Sequence, residues 1–451
     1  MHKKHKILFN FDKVNSVNRI WLYLLILVGV IFLTYNSSLK NNFQQEWDDQ
    51  WMLLENPILF YPSWDAIGRS FLTFYHSQYS PLNQLYYIGI NSMAGFDSFA
   101  FHLGSVVIHM INAILVYFLV AGMVKIIKSD IRRAKVMSIS LMIALIFAIH
   151  PLQVESVAWI SASKVVLYTT FTLAGLLSYI SYKNHKSYLY LGMAFLCYVA
   201  SLMVKEQAII FPLNLVLIDF LYRAYDKVHL GQSVWKEKVP FFILALGYWY
   251  WSAQNSVGVF EPEIFYPWYD RIVFGSYSLI VYLFRFFVPV NLSHFYAYPM
   301  LSGESIPLYY YGYLVMALLF VGYLFDLYRS KKWIPLFGLL FFVINILLVL
   351  HILPVPRGAV TADRYMYLSV VGLSGWTMWQ CGHWYAQINS AKPMSRLMIK
   401  LVPVMVLAYL CGFMVQSNTI SRKWKDSETL KKDVKTHLYY MTAQKPDGDR
   451  D

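Results

Sequence analysis

The residues best suited to chemistry open a polar segment after the first apolar stretch: Phe43-Gln-Gln-Glu-Trp-Asp-Asp-Gln-Trp-Met-Leu-Leu-Glu-Asn-Pro57. Its centre is a pair of adjacent carboxylates, Asp48 and Asp49. A carboxylate in such a place can take a proton from an attacking hydroxyl or stabilise positive charge growing on a sugar ring. Two adjacent acids can also hold a divalent ion, or simply begin a solvated loop. The choice rests on the ionisable groups elsewhere.

Those groups recur at the ends of other apolar runs. His102 and His109 are seven residues apart and so share one helix face, where a lone histidine is ordinarily a packing residue. In His150-Pro-Leu-Gln-Val-Glu-Ser-Val-Ala-Trp159, Pro151 ends one helix and Glu155 meets the positive dipole end of the next. Capping accounts for Glu155 but not for the Lys164 that follows. Lys205-Glu206 splits two apolar runs, and Asp219 closes the second of them. Arg285 sits within Tyr-Leu-Phe-Arg-Phe-Phe-Val-Pro289. A charge near mid-bilayer costs roughly 2.5–3.5 kcal/mol, so it needs a partner or a polar cavity. His351-Ile-Leu-Pro-Val-Pro-Arg-Gly-Ala-Val-Thr-Ala-Asp-Arg-Tyr365 adds Arg357, Asp363 and Arg364, with Asp363 also able to cap a helix. This inventory suits transfer of a sugar from a polyprenyl phosphate to a hydroxyl. The leaving phosphate needs cations rather than a strong acid, and Arg matches it bidentately. The attacking hydroxyl needs one carboxylate base.

The elements that must position these groups are set by composition. The 451 residues are 58% hydrophobic and 14% charged, against about 25% charged in a soluble domain. Apolar runs fall near 20–39, 101–124, 136–149, 157–182, 187–204, 207–222, 239–253, 271–289, 307–328, 335–350, 366–385 and 399–417. Runs near 20 residues match the hydrocarbon thickness of a bilayer as helix. A polytopic all-α membrane protein is expected; disorder, a disulfide scaffold and a soluble α/β enzyme are excluded.

The net charge of +13 invites nucleic acid as a partner, but its placement argues against one. Basic residues cluster in short inter-run segments: Lys3, Lys4, Lys6, Lys13 and Arg19; Lys125, Lys128, Arg132, Arg133 and Lys135; Lys183 and Lys186. Arg223, Lys227, Lys236 and Lys238, then Arg329, Lys331 and Lys332, then Lys392, Arg396 and Lys400 continue the pattern. Segment 40–100 holds only Lys40 and Arg69 against Glu46, Asp48, Asp49, Glu55, Asp65 and Asp97. This alternation is the positive-inside pattern. It places the N-terminus inside and loop 40–100 outside. Twelve full crossings would leave Arg329–Lys332 and Lys392–Lys400 outside. Eleven crossings are therefore expected, with either 239–253 or the Arg-bearing 271–289 failing to cross. The unit is one membrane domain, 1–417, carrying the outer loop 40–100. A hydrophilic tail, 418–451, is expected outside and helical through Trp424–Tyr440. The first run is too long for a signal h-region and reads as a retained span. Cys197, Cys381 and Cys411 have no metal spacing and read as buried apolar residues. Aromatics, 18% of the chain, read mainly as interfacial belt residues.

An ordered series of these residues resembles one family. The series is Trp47-Asp-Asp with Asn56-Pro57, Tyr79-Ser-Pro-Leu82, Phe101-His with His109 and Asn112, and His150-Pro-x-x-x-Glu155-Ser-Val-x-Trp159. It continues through Lys205-Glu206 with Asp219, Arg285 with Pro289, Asp363-Arg-Tyr365-x-Tyr367-Leu, and Arg422-x-Trp424-x-Asp-Ser-x-x-Leu430. It resembles the transmembrane and tetratricopeptide-repeat-containing protein O-mannosyltransferases and their bacterial relatives, over roughly residues 20–430. The resemblance implies a GT-C glycosyltransferase fold with about 11–12 transmembrane helices. It further implies inverting transfer of a sugar, mannose first, from a polyprenyl-phosphate donor at the outer or lumenal face. It maps the catalytic carboxylate onto the first outer loop, with Asp48 as base and Asp49 in support. Lys164, Lys205, Arg285 and Arg364 then become donor-phosphate contacts, with Arg285 and Arg364 preferred. His102, His109, His150, Glu155, Glu206, Asp363 and Tyr365 complete the expected site. The resemblance lies closer to metal-independent relatives, so no cofactor is expected, although a divalent ion at Asp48 and Asp49 stays open.

One departure matters. The tetratricopeptide repeats that follow the closing segment in the family do not follow Trp424 here. Protein Ser or Thr remains the leading acceptor, but the departure favours a glycolipid or envelope polysaccharide as the alternative. The expected location is a bacterial inner membrane with the site facing the periplasm. A non-catalytic transporter or lipid-handling protein is the rival from another class. It fits intramembrane charge but leaves the outer acid pair without a role.

Overall fold

The structure, a computed structural model, describes residues 11–128, 131–225, 233–255, 266–300, 304–352, 358–389 and 394–443. Lys3, Lys4, Lys6, Lys227, Arg357, Lys392 and the end of the tail, 444–451, lie outside the described residues. The helices run in order α1 Phe11–Tyr35, α2 Pro57–Phe60, α3 Trp64–Ser70, α4 Pro81–Ala94, α5 Ser98–Ile127 and α6 Arg133–Ile149. They continue as α7 Val154–Ala158, α8 Ser163–His185, α9 Tyr188–Leu202, α10 Phe211–Ala224, α11 Ser233–Lys236 and α12 Val239–Asn255. The last six are α13 Trp268–Phe287, α14 Tyr311–Arg329, α15 Trp333–Ile346, α16 Ser369–Asn389, α17 Met394–Ser421 and α18 Ser427–Ala443. Among the described residues there is no strand, only isolated bridges at Tyr75–Gln78 and Tyr296–Thr361.

Local chemistry sets the element ends. Asn56, Ser63 and Asp97 cap α2, α3 and α5 by accepting from Ile58 N, Ala66 N and Phe99 N, which satisfies donors that a helix start leaves unpaired. Pro57 and Pro81 stand in the first turn of α2 and α4, where their missing N–H costs nothing. Between α6 and the segment Pro151–Ala158 the chain bends by 57°. Pro151 cannot donate to the preceding turn, and His150 Nδ1 accepts from Leu152 N at 3.1 Å instead.

One large core joins α1, α5, α6, α8, α9 and α10, and a second joins α13, α15 and α16. The outward faces are apolar as well. Leu308, Val315, Leu318, Leu319, Val321 and Phe325 are exposed on and beside α14, as are Val404, Met405, Leu407 and Val415 on α17. Faces this apolar are out of place in water and suit a lipid environment. Among the described residues six helices are long and apolar enough to cross a membrane: Asn18–Tyr35, Ser98–Ile127, Ile160–His185, Glu206–Ala224, Leu308–Arg329 and Leu401–Trp424. The bent pair of α6 and Pro151–Ala158 makes a seventh if taken as one broken span. The chain is therefore an all-α multi-pass membrane protein.

These described spans are fewer than the eleven expected from apolar runs. Helices α9 and α15 are 15 and 14 residues long, about 22 Å of helix against a core of about 30 Å. Helix α13 carries Asp270, Arg271 and Arg285. The cysteines also differ from expectation. Cys197 is half-buried, and Cys381 and Cys411 are exposed, on faces that the bundle leaves uncovered.

Helices α15 and α16 meet backbone to backbone. A Cβ on Gly338 would stand 2.7 Å from Gly372 O, and one on Gly372 would stand 2.8 Å from Phe342 N. Neither backbone can yield as a side chain would. Gly372→Ala is expected to destabilise the protein by about 1–3 kcal/mol through overpacking, read as a lowered melting temperature in detergent. Gly375→Ala, one turn on with nothing within 4 Å of its Cβ position, should melt as the parent does.

Candidate functional site

The two adjacent acids have opposite surroundings. Asp49 is fully buried, and its Oδ2 accepts from Gln44 N at 2.8 Å. Its Oδ1 accepts from Ser161 N at 2.9 Å and from the Ser161 hydroxyl. Asp49 thus pins the loop start to the α7–α8 junction. Burial pushes its carboxyl up from 3.8 to about 6, against the pull of those hydrogen bonds. Asp48 is half-exposed and makes no hydrogen bond or ion pair among the described residues. Its charge is felt by Lys164 and Arg364.

A raised carboxyl stabilises the fold while it stays protonated. The Asp49 contribution is complete below pH 3.8 and is lost as pH rises through about 6. The interval corresponds to about 3 kcal/mol. Melting temperatures of the parent protein should fall more steeply between pH 4 and 7 than those of Asp49→Asn. Parallel profiles would show that Asp49 is already ionised at pH 4.

Two cations from distant parts of the chain, Lys164 and Arg364, feel the charge of Asp48, and Lys205 in turn neighbours Lys164. Lys164, in the first turn of α8, donates to Gln78 Oε1 at 2.5 Å. Lys205 is buried and lies 3.3 Å from Glu206 Oε1, whose side chain is 61% exposed. Lys164 is within electrostatic reach of Lys205, Glu206 and Arg364. Arg364 bonds Glu155 through both its backbone and its guanidinium: Arg364 N to Oε2 is 2.7 Å, and Nη1 contacts Oε1. The guanidinium lies over Tyr365 and Trp159, 5.1 and 5.5 Å from the ring centroids.

Arg285 is placed in an adjoining buried knot. Its Nη1 lies 3.4 Å from Asp363 Oδ1 and 3.2 Å from Thr361 Oγ1, and its guanidinium covers the Tyr296 ring at 3.7 Å. The Tyr296 hydroxyl donates to both Asp363 oxygens, each at 3.1 Å. Burial pushes the Asp363 carboxyl upward, partly offset by Arg285. Arg285 thus pairs with Asp363 as Arg364 pairs with Glu155, and of the two arginines Arg364 is the one that feels the charge of Asp48.

The three singled-out histidines are engaged in packing. His109 Nε2 donates to Ala148 O at 2.9 Å, so Nδ1 accepts from the Tyr367 hydroxyl at 2.6 Å. His150 donates from Nε2 to Phe286 O at 2.9 Å and stacks on the Phe286 ring. His102 is enclosed beside the Asn41–Asn42 backbone, with neither ring nitrogen in a hydrogen bond of normal geometry.

Other residues of the site were not legible as such. His294 stands edge-on to Trp47, Trp159 and Trp424, with centroids 4.5, 4.9 and 4.8 Å away. Its Nδ1 is 3.7 Å from Glu155 Oε1. A cavity of about 20 Å³ lies there, lined by Glu155, Ser293, His294, Asp363, Lys423 and Trp424, with room for about one water. Gln78 and Ser161, which orient Lys164 and Asp49, are ordinary polar residues in sequence. Gln78 does adjoin the Tyr79-Ser-Pro-Leu82 motif, the one signal that points to it. A tight turn presents it, with His76 and Ser77 both left-handed at φ 45° and 59°, a conformation that costs energy in residues other than glycine.

The C-terminal segment clamps the acidic loop. Asn41 Nδ2 donates to Ser421 O at 2.9 Å, Asn42 N to Lys425 O at 2.8 Å, and Gln44 Nε2 to Trp424 O at 2.7 Å. Ser427 Oγ donates to Gln45 O at 2.9 Å. The tail and the acidic loop therefore share one face of the bundle. At a different place in the fold, Lys183 and Lys238 both contact buried Asp219, and the Tyr179 hydroxyl donates to it at 2.8 Å. This second charge cluster ties α8, α10 and the start of α12 together.

Among the described residues no group of three or more His, Cys, Asp and Glu is arranged to hold a metal ion. Both oxygens of Asp49 accept protein hydrogen bonds. No protein-family model matches the chain, and no curated protein matches it either.

Proposed function

We propose that the chain is an inverting glycosyltransferase that uses a polyprenyl-phosphate sugar at the outer face of a membrane. The observation that carries the reading is Asp48, a half-exposed carboxylate without a protein partner among the described residues, within the field of Lys164 and Arg364. Asp48 takes the proton of the acceptor hydroxyl as its oxygen bonds the sugar anomeric carbon. The bond from that carbon to the phosphate oxygen breaks on the opposite side, which inverts the centre. Lys164, Lys205 and Arg364 receive the leaving phosphate charge. Asp49 holds the loop, and Glu155 holds Arg364.

The reading takes the fold as GT-C, with the remaining apolar runs as further crossings towards the expected eleven or twelve. It places the protein in a bacterial inner membrane with Asp48 facing the periplasm. It assigns mannose as the first sugar to try and protein Ser or Thr as the leading acceptor, ahead of a glycolipid or envelope polysaccharide. The ordered motif series from Trp47 to Leu430 supports these assignments.

The test is turnover by purified protein, with polyprenyl-phosphate mannose offered alongside peptide, glycolipid and polysaccharide acceptors. Transfer with loss of the sugar from the lipid, released as polyprenyl phosphate, is the expected result. Donor movement across vesicles with the glycosyl bond intact would overturn the reading in favour of transport.

A further inference from the structure

The outer loop carries a row of large apolar side chains that the protein leaves uncovered. Tyr61 is 82% exposed, Trp64 89%, Leu72 76% and Met93 82%. Helix α3 is two-sided. Trp64, Ile67 and Phe71 recur at helical spacing, while Asp65 and Arg69 pair with each other at 2.7 Å in solvent. Scattered single exposures would need no account, but Phe60, Tyr61, Trp64 and Leu72 follow one another along 60–72, and Met93 lies at the end of helix α4, which packs against α2 and α3.

The height of this row in the membrane is set by two contacts. Phe60 stacks on Phe96 with centroids 4.7 Å apart, and Asn91 Nδ2 donates to Leu59 O at 2.7 Å. Phe96 immediately precedes Asp97, the cap of the crossing helix α5. Along the first half of α5 the exposed apolar residues are Phe99, Leu103, Val107 and Ile111, each four positions from the last, with Phe118 two turns further on. This spacing makes one stripe on one face, and on a crossing helix that stripe meets lipid. The Phe60–Phe96 contact joins the uncovered row of the loop to the start of α5, three residues before Phe99.

We propose that α2, α3 and the turn to Leu72 lie in the headgroup layer of the outer leaflet, with Tyr61, Trp64, Leu72 and Met93 turned into lipid. Tyr and Trp concentrate at that depth because their rings are apolar and their polar atoms stay wet. An interfacial helix of this kind sinks its apolar face roughly 5–10 Å below the headgroup surface. The occupant is a lipid surface rather than a second copy of the chain, because the row is joined to the start of a stripe already facing lipid. The consequence is positional: contact with the headgroup layer fixes the depth of the loop that bears Asp48, whose opening segment is also bonded to the C-terminal segment. The inference stands independently of the transfer reading.

The experiment uses the full chain in phosphatidylcholine vesicles, with Cys381→Ser and Cys411→Ser as background. Trp64→Cys or Leu72→Cys carries a bimane label, and Gln45→Cys, an exposed polar position, serves as the water-facing control. Labels at 64 and 72 should be quenched severalfold more by lipids brominated near the headgroup than by iodide in solution, with the order reversed at 45. Quenching of 64 and 72 by iodide alone would overturn the proposal. Protection from both quenchers, with energy transfer between labelled copies, would overturn it in favour of a protein interface. Agreement between two independent label sites guards against disturbance by either substitution.

Discussion

Asp48→Asn should lower the transfer rate by roughly two to four orders of magnitude, the usual worth of a general base, while leaving melting temperature and donor binding near those of the parent. Asp48 has no hydrogen bond to lose among the described residues, and amide for carboxylate conserves its shape. Asp49→Asn should behave in the opposite sense. Its oxygens accept from Gln44 N and from the Ser161 amide and hydroxyl, and an amide nitrogen in place of either oxygen faces a donor. The expected result is a less stable protein whose residual folded fraction still turns over. The measurement is single-turnover transfer beside thermal melting for both variants. Full activity in Asp48→Asn would remove it from the reaction, and a loss confined to Asp49→Asn would exchange the two roles.

This division of labour could not be read along the chain. Asp48 and Asp49 share every sequence neighbour, and what separates them is Ser161, which reaches Asp49 from 112 residues away. Burial of one acid is a consequence of tertiary packing, for which adjacent acids give no local sign. The apolar runs, the Pro151 bend and the outer-loop acids were legible because hydrophobic length and missing N–H groups act locally. Arg285 was legible as a charge that needs a partner, and its partner is Asp363. The clamp by the C-terminal segment was not. Its bonds run largely to backbone carbonyls of Ser421, Trp424 and Lys425, and a carbonyl leaves no residue-type signature. His294 was missed for a related reason: its tryptophan surroundings come from three separate segments.

Arg364 carries the second large effect, because it pairs with buried Glu155 and also feels the charge of Asp48. Glu155 is buried, and its remaining side-chain neighbour of basic type, the His294 imidazole, stands 3.7 Å away. Arg364→Ala therefore strands a buried carboxylate, a defect that costs about 3–5 kcal/mol, and should abolish transfer with a marked loss of melting temperature. That result alone would not separate support from chemistry. Removing both partners in an Arg364→Ala, Glu155→Ala double variant should recover most of the stability, since no charge is left unpaired. Transfer should stay lost, because the cation facing Asp48 and the leaving phosphate is still absent. Arg364→Lys gives the complementary reading. It keeps a charge for Glu155 but replaces the planar fork with a point charge, so KM for the donor should rise about tenfold, the order of one lost charged hydrogen bond, with less change in kcat. If the double variant regained transfer along with stability, Arg364 would belong to the fold alone, and the phosphate would have to be received by Lys164 and Lys205.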